Sequence, residues 1–463
     1  MRILMTGATG LIGRPLGQAL AARGDTLVCL VRDPATARRR LPFPAECHAW
    51  NHRQAVPAAA LQGVDAVLNL AGEPVALAGE PVADARWTPA RKALIRDSRV
   101  LGTRQLVRAV MEHGTPMAAF VQGSASGLHG DRGDERLSAQ SPRGTDFLAD
   151  VVHAWEAEVL PLARRTGLRV PVVRTGIVLA RQGGALAAML PLFRLSAAGR
   201  LGDGRQWMGW IHLDDIVRLF LHALDAAPPG VLEGVAPHPA TNREFTRAMC
   251  RALGVIENLP VPTPALQALY GERATIVLGS TRLEPVATVA SGFRFRFETV
   301  GAALDDLLHP LRGGVRQRVW EHWMPHAAEA IWPFFGDARN LEAITPPFLA
   351  FRVLGQSTPE IGAGTLIDYR LRLASVPLHW QTRIEAWEPP RCFTDLQAQG
   401  PYALWQHTHD FFPLAGGTLM RDTLRYRLPG GWLGAAAAGP AVDSTVERIF
   451  EYRAHAIDER FGA

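Results

Sequence analysis

The chain has 463 residues, 48% hydrophobic and 20% charged, with a net charge of +5. That balance describes a globular protein of two or three domains and excludes a membrane-spanning one, since no apolar run approaches the roughly 20 residues a bilayer requires. The basic excess is confined to the first two thirds (+7 over residues 1–312, −2 beyond). It suits an anionic small ligand and is too weak and dispersed for nucleic acid.

The first element is a buried strand, Ile3-Leu4-Met5, running into Thr6-Gly7-Ala8-Thr9-Gly10-Leu11-Ile12-Gly13. Ile12, Leu16 and Leu20 then fall four apart on one helix face. Gly7 permits a tight turn, Gly10 lets backbone approach a diphosphate, and Gly13 lets the helix pack on the strand. The helix start offers free N–H groups and a positive dipole end. Thr9, Leu11 and Ile12 belong to the same turn. A dinucleotide site of the Rossmann type is expected here. The second strand, Thr26–Val31, ends in Arg32-Asp33. An arginine at this position accepts a 2′-phosphate, so NADP(H) is expected over NAD(H); Asp33-Pro34 is also a turn signal. A third apolar strand, Ala66–Leu70, leads into Leu70-Ala71-Gly72-Glu73, a loop of small residues beside which a cofactor can pass.

The usual proton-transfer pair is missing. No tyrosine precedes Tyr270, and Lys92 is the one lysine in the chain. A Tyr-x-x-x-Lys reductase is excluded by inventory. The four cysteines (Cys29, Cys47, Cys250, Cys392) are scattered and form no CxxC pair. They suit a reducing cytoplasm, with neither disulfide nor zinc. No signal peptide is read at the N-terminus, whose apolar run is a strand broken by Gly7. No His, Asp or Glu group has metal-ligand spacing, and no metal is expected.

Several further segments carry a resemblance. They are Asn69-Leu-Ala-Gly-Glu-Pro74, Arg86-Trp87…Arg91-Lys92…Asp97-Ser98-Arg99, Gly130-Asp-Arg-Gly-Asp-Glu135 and Trp155-Glu156. Val173-Arg174-Thr-Gly176, Trp207-Met-Gly-Trp-Ile-His-Leu-Asp-Asp215 and Thr241-Asn-Arg-Glu-Phe245 complete the set. With the glycine turn, they make residues 1–310 resemble an atypical extended short-chain dehydrogenase/reductase, of the epimerase-like group called NAD-dependent epimerase/dehydratase. The resemblance implies a doubly wound Rossmann sheet over residues 1–311 with a small substrate-side region and a family-specific tail at 255–310. It places Arg174 near the cofactor. It also implies tyrosines facing the nicotinamide in a Ser-Ala-Ser-x-x-Gly-Tyr-Tyr-Gly segment. Here that segment reads Gln122-Gly-Ser124-Ala-Ser126-Gly-Leu128-His129-Gly130, and Phe147 and Val151 stand where ordinary relatives carry Tyr and Lys.

For acid–base work, His129 is the best remaining group, because an imidazole titrates near neutrality. Ser124 can donate to a substrate oxygen, and Asp131, Asp134 or Glu156 can orient a base or act as one. Bland readings stand beside these: Asp131–Asp134 as an exposed loop, Glu156 as a helix-surface or capping carboxylate, and Ser124 as a turn residue. His212, Asp214 and Asp215 read as the charged start of a helix over 216–224. Thr241-Asn-Arg-Glu244 reads as a capping box.

After a turn-rich hinge, His309–Val315, the pattern changes to alternating strands over 364–373, 378–386, 391–397, 404–413 and 417–428. Helical stretches at 327–335 and 443–460 bracket them. The segments Ala330–Pro346 and Gly417–Thr423 make residues 316–463 resemble a START-like (polyketide-cyclase/lipid-transport) α+β helix-grip domain, which implies an apolar ligand between sheet and helix. Seven of the twelve tryptophans fall here (Trp320, Trp323, Trp332, Trp380, Trp387, Trp405, Trp432). They suit a cavity lining or, equally, a small core.

Three functions follow as expectations. The first is an NADP-dependent oxidoreductase or epimerase-like enzyme acting on a small molecule, with an apolar ligand in the C-terminal domain. The second is an NADP-binding sensor or scaffold without turnover. The third is a lipid or polyketide carrier.

Overall fold

The computed structural model describes residues 1–75, 87–113, 116–165, 167–373 and 376–462; Arg86 and the Trp432 side chain lie outside the described part. The chain divides into two units, Met1–Arg38 with Ala45–His309, and Pro310–Ala463 with Arg39–Pro44. No helix among the described residues is long and apolar enough to cross a membrane.

The first unit is built on a seven-stranded parallel sheet. Its strands are β1 (Arg2–Thr6), β2 (Thr26–Val31), β3 (Glu46–Ala49), β4 (Ala66–Asn69), β5 (Ala119–Ala125), β6 (Pro171–Thr175) and β7 (Gly230–Gly234). They lie in the order β7-β6-β5-β4-β1-β2-β3. The chain therefore winds outward from β1 in one direction and, from β4, in the other. Helices cover both faces of such a sheet, so its strands are apolar throughout rather than alternating; Ile3, Leu4, Met5, Val67 and Leu68 are fully buried. The flanking helices include α1 (Gly13–Ala22), α2 (Pro89–His113), α3 (Phe147–Ala157) and α4 (Leu213–Asp225). His212 caps α4 by accepting from the Asp214 N–H at 3.0 Å, and the capping box at Thr241 and Glu244 is present.

Residues 255–310 form short helices held by two buried carboxylates. Asp215, on α4, accepts the backbone N–H groups of Arg296 and Phe297, each at 2.8 Å. Glu233, at the end of β7, accepts those of Ala287 and Thr288 at 3.0 and 3.1 Å. Both side chains are fully buried, and backbone donors at such distances are what let a carboxylate be buried at tolerable cost.

Among the described residues, the second unit is a seven-stranded antiparallel sheet with two α-helices. Its strands are β8 (Arg316–Met324), β9 (Arg352–Gln356), β10 (Leu366–Leu373), β11 (Val376–Glu388), β12 (Cys392–Gln399), β13 (Leu404–Leu414) and β14 (Gly417–Arg427). They lie in the order β8-β14-β13-β12-β11-β10-β9. Helix α5 (Ala328–Phe335) and the long helix α6 (Gly431–Phe461) complete it. Ile331, Phe335, Phe411 and Ile457 form one core cluster, and Leu424, Tyr426, Val446 and Phe450 another. Two features differ from expectation. Strands β8 and β9 are additional to the five expected, because charged residues in the first half of β8 and a bulge at Val353/Gly355 in β9 obscure the alternation. Helix α6 begins at Gly431 rather than near 443, because residues 431–442 are small or apolar throughout, with no polar face to reveal a period and with Pro440 among them.

Candidate functional site

In a doubly wound sheet, ligands lie outside the carboxyl ends of the strands where the winding reverses. Here that point falls between β1 and β4, and the glycine turn sits on it. Gly7 has φ +70°, open to glycine at little cost, and a Cβ there would meet the Leu70 carbonyl at 2.8 Å. At Gly13 a Cβ would lie 2.1 Å from the Gly7 oxygen, so only glycine lets α1 begin this close to β1. The turn is closed by Gly10 N–H donating to the Gly7 oxygen at 3.0 Å. Thr9 and Gly10 are exposed. No side chain caps the start of α1 at Ile12. Arg14 N–H donates back to the Gly10 oxygen at 3.1 Å, Leu16 N–H to the Ile12 oxygen at 3.0 Å, and Pro15 has no N–H, so backbone donors for an anion come from the turn ahead of Arg14. Leu11 faces the Gly183–Gly184 turn. Arg32 is exposed at the end of β2, and Asp33 behaves as the turn residue it reads as, accepting from the Ala35 N–H at 3.0 Å.

The two loops at the reversal are tied together by a buried polar network. Thr6 Oγ1 accepts the N–H groups of Leu70 and Ala71, both at 3.0 Å, and donates to Asn69 Oδ1 at 2.7 Å. Asn69 Nδ2 donates to Thr103 and to Gln122, and Trp155 Nε1 also donates to Thr103 Oγ1 at 2.8 Å. Five side chains from β1, β4, β5, α2 and α3 thereby fix the floor of the site. Gln122, which stands where the resembling sequences carry serine, is a member of it.

The Arg86–Arg99 motif has a physical role in its described part. Ser98 Oγ accepts the Glu73 N–H at 3.0 Å. Arg99 donates to the Glu73 carbonyl at 2.8 Å and lies over the Trp155 ring, 5.3 Å from its centroid. Burial lowers the Arg99 guanidinium to about 10. Arg91 pairs with Glu73 Oε1 at 3.0 Å. This clasp holds Ala71–Pro74, and a Cβ at Gly72 would stand 3.0 Å from the Arg99 guanidinium carbon, so a larger residue there would have to displace the guanidinium by a few tenths of an ångström.

The acid–base candidates fall in a different arrangement from that expected. Ser124, near the end of β5, donates to Glu156 Oε1 at 2.6 Å. Glu156 is not a surface carboxylate: Arg174 grips it with two bonds of 2.8 Å and adds a third, also 2.8 Å, to the Ala139 carbonyl. Arg174, expected at the cofactor, is buried with its guanidinium turned to this carboxylate. His129 is fully buried. Its Nδ1 stands 3.4 Å from the Pro142 oxygen and its Nε2 has no partner; burial lowers its pKa, so the ring is neutral near pH 7. The structure brings Ser124, Glu156 and Arg174 together and leaves His129 roofed over by the Pro142–Gly144 segment. Asp131 and Asp134 are structural: Asp131 accepts the Ser280 N–H at 3.2 Å, and Asp134 accepts from Trp207 Nε1 at 2.7 Å.

One feature was not legible in the sequence. Lys92, on α2, places Nζ 5.0 Å from the Phe147 ring centroid and pairs with Glu272 at 2.6 Å. The lone lysine thus reaches, from another helix, the residue that stands in the tyrosine position.

The model of the NAD dependent epimerase/dehydratase family matches residues 3–233, and that of a domain of unknown function (DUF1731) matches residues 261–307. The chain is 37% identical over 320 residues to the chloroplastic SDR39U1 homolog of Arabidopsis thaliana, covering 66% of this chain and 86% of that protein. It is 35% identical to human epimerase family protein SDR39U1, covering 66% of this chain and all of that one. The crystal structure of human SDR39U1 isoform 2 with NADPH superposes with a TM-score of 0.58 at 33% identity, covering 66% of this chain and 99% of that one. With the reversed parallel sheet and its glycine turn, these matches establish that this chain belongs to the NAD dependent epimerase/dehydratase family.

Proposed function

We propose that the first unit binds NADP(H) across the β1/β4 reversal and works as an oxidoreductase or epimerase-like enzyme on a small molecule. The observation that carries this reading is the Gly7–Gly13 turn, which sits at the reversal with an uncapped helix start behind it. Gly7, Thr9, Gly10, Leu11, Ile12 and Gly13 would hold the diphosphate, and Leu70–Glu73 would line its passage. Arg32, exposed at the end of β2, would pair with the 2′-phosphate. NADPH in the crystal structure of the human relative supports the choice of dinucleotide.

When bound, the nicotinamide supplies or accepts hydride. The protein must then move one proton. Ser124 is the residue for that step: its hydrogen is directed at Glu156, so its free lone pairs can accept the proton of a substrate hydroxyl as its own passes to the carboxylate. Arg174 holds Glu156 in place. His129, sealed beneath Pro142, contributes through packing unless that segment opens. The test is turnover of NADPH against carbonyl substrates by the wild type, Ser124→Ala and His129→Phe. Loss of turnover in Ser124→Ala, with binding retained, is expected.

A second reading, a dinucleotide-binding sensor without turnover, is favoured by one observation. Both oxygens of Glu156 already accept from Arg174, and Ser124 donates to one of them as well. Tight NADPH binding with no turnover in any variant would select it. For the second unit we propose a START-like module. The order strand, helix, six antiparallel strands, long closing helix supports that assignment. An apolar ligand rests on this architecture rather than on the tryptophans, since Trp332 packs on Trp387 at 5.2 Å and Trp380 on Trp405 at 5.3 Å within the core.

A further inference from the structure

In the second unit, strand pairing assembles a group whose members are far apart in sequence. His407 and His409 lie two apart on β13, and the alternation of a strand sends both rings to one face. The register sets Asp395 of β12 opposite His407, and Asp422 of β14 opposite His409. His407, His409 and Asp422 are buried. Arg453 of α6, also buried, brings Nε to 3.6 Å from Asp422 Oδ2, and Phe393 stacks on the His409 ring at 4.0 Å.

Asp422 orients both imidazoles. Its Oδ1 lies 2.6 Å from His409 Nδ1 and 3.2 Å from His407 Nε2. An ionised carboxylate only accepts, so those two nitrogens carry the hydrogens. In neutral rings this leaves lone pairs on His407 Nδ1 and His409 Nε2. Both of these nitrogens turn to one oxygen, Asp395 Oδ1, at 3.7 and 3.5 Å. Neither gap makes a good hydrogen bond. Each is close to the roughly 3.4 Å between neighbouring ligand atoms of a tetrahedral ion with bonds of about 2.1 Å. One donor atom from each of the three residues lies within 4.8 Å of the others. A ligand histidine that hands its second nitrogen to a carboxylate is the arrangement by which metal sites fix ring orientation and tautomer.

We infer that Asp395, His407 and His409 form a site for one divalent transition-metal ion, with Asp422 as the positioning residue behind both rings. Two nitrogens and one carboxylate oxygen suit Zn²⁺, Co²⁺ or Fe²⁺; Mg²⁺ and Ca²⁺ take oxygen ligands. Charge agrees: two carboxylates facing one guanidinium leave a negative charge for the ion to meet. Three protein ligands leave a coordination position for water or a substrate oxygen. Asp395, with 19% of its side chain exposed, is the most exposed of the three ligands. This departs from the expectation of no metal. The signal in the sequence was His-Thr-His within a strand; the third ligand is supplied by the neighbouring strand.

The test is titration of the chelator-stripped full-length protein with Co²⁺, read by its visible d–d bands and by bound-metal analysis, with Mg²⁺ as control. One equivalent of Co²⁺, displaced by Zn²⁺ and indifferent to Mg²⁺, is expected. Asp395→Asn and His407→Gln should each abolish the bands. Asp422→Asn should weaken binding about 10- to 100-fold while keeping the same bands, as loss of an outer-shell partner does. Absence of stoichiometric uptake by the wild type would overturn the inference whatever the variants do. So would uptake that folded Asp395→Asn retains, because the ion would then lie elsewhere.

Discussion

At the scale of single residues, two positions decide how the turn works. Gly13 faces the Gly7 oxygen at a separation no Cβ tolerates, 2.1 Å. Gly13→Ala is therefore expected to push α1 off β1, at a cost of roughly 1–3 kcal/mol in stability as an overpacked contact. NADPH binding should be lost, as read by thermal unfolding and by titration. Arg32 is a different case, because it is exposed and its replacement leaves the fold alone. If its guanidinium makes a charge-assisted bond worth about 1.5–3 kcal/mol, Arg32→Glu should weaken NADPH about 10- to 100-fold and leave NADH nearly unchanged. Equal weakening of both dinucleotides would place Arg32 away from the 2′-phosphate. His129 makes a prediction about pH. Burial lowers its pKa below the ordinary 6.5, so between the two values the unfolded chain binds the extra proton and stability rises with pH. Wild-type protein should lose more stability than His129→Phe as pH falls from 7 to 5. His212 and His407, lowered in the same sense, contribute equally to both proteins.

At the scale of elements, the interesting residues are those that hold loops to strands. Asp215 is fully buried and accepts two backbone N–H groups from the 296–297 segment. Asp215→Asn replaces one accepting oxygen with a donor and leaves a buried N–H facing it. A loss of about 1–3 kcal/mol is expected, the cost of an unmet buried polar group, and hydrogen exchange should rise first at Arg296 and Phe297. Much of this scale is legible in the sequence. The β1 strand, the glycine turn, the α4 start at His212 and the Thr241 capping box are local patterns, written in neighbouring residues and read there. What is not legible depends on pairing across the sheet. Glu156 reads as a helix-surface carboxylate until Arg174 and Ser124 are brought to it from β6 and β5. His407 and His409 show no third ligand until register sets Asp395 beside them. Lys92 is merely a lysine until α2 passes Phe147. Strand β8 escapes for another reason: its first half is charged, and the alternation is blurred by partly exposed side chains on both faces.

At the scale of the whole molecule, the chain contains two units with separate cores, and ligands of different chemistry are proposed for each. A ligand that binds only the folded state stabilises the unit that holds it, by about 2.7 kcal/mol at a hundredfold excess over Kd. Calorimetric unfolding of the intact chain is therefore expected to resolve two transitions. NADPH should raise one and Co²⁺ or Zn²⁺ the other, and Gly13→Ala should remove the first response while leaving the second. A single transition raised by both ligands would mean that the units unfold together. The central claim concerns the dinucleotide, and isothermal titration calorimetry of the intact wild-type chain tests it most directly. One NADPH is predicted per chain, bound at least tenfold more tightly than NADH and lost in Gly13→Ala. Absence of heat from either dinucleotide, or NADPH binding that survives Gly13→Ala unchanged in a folded protein, would contradict it.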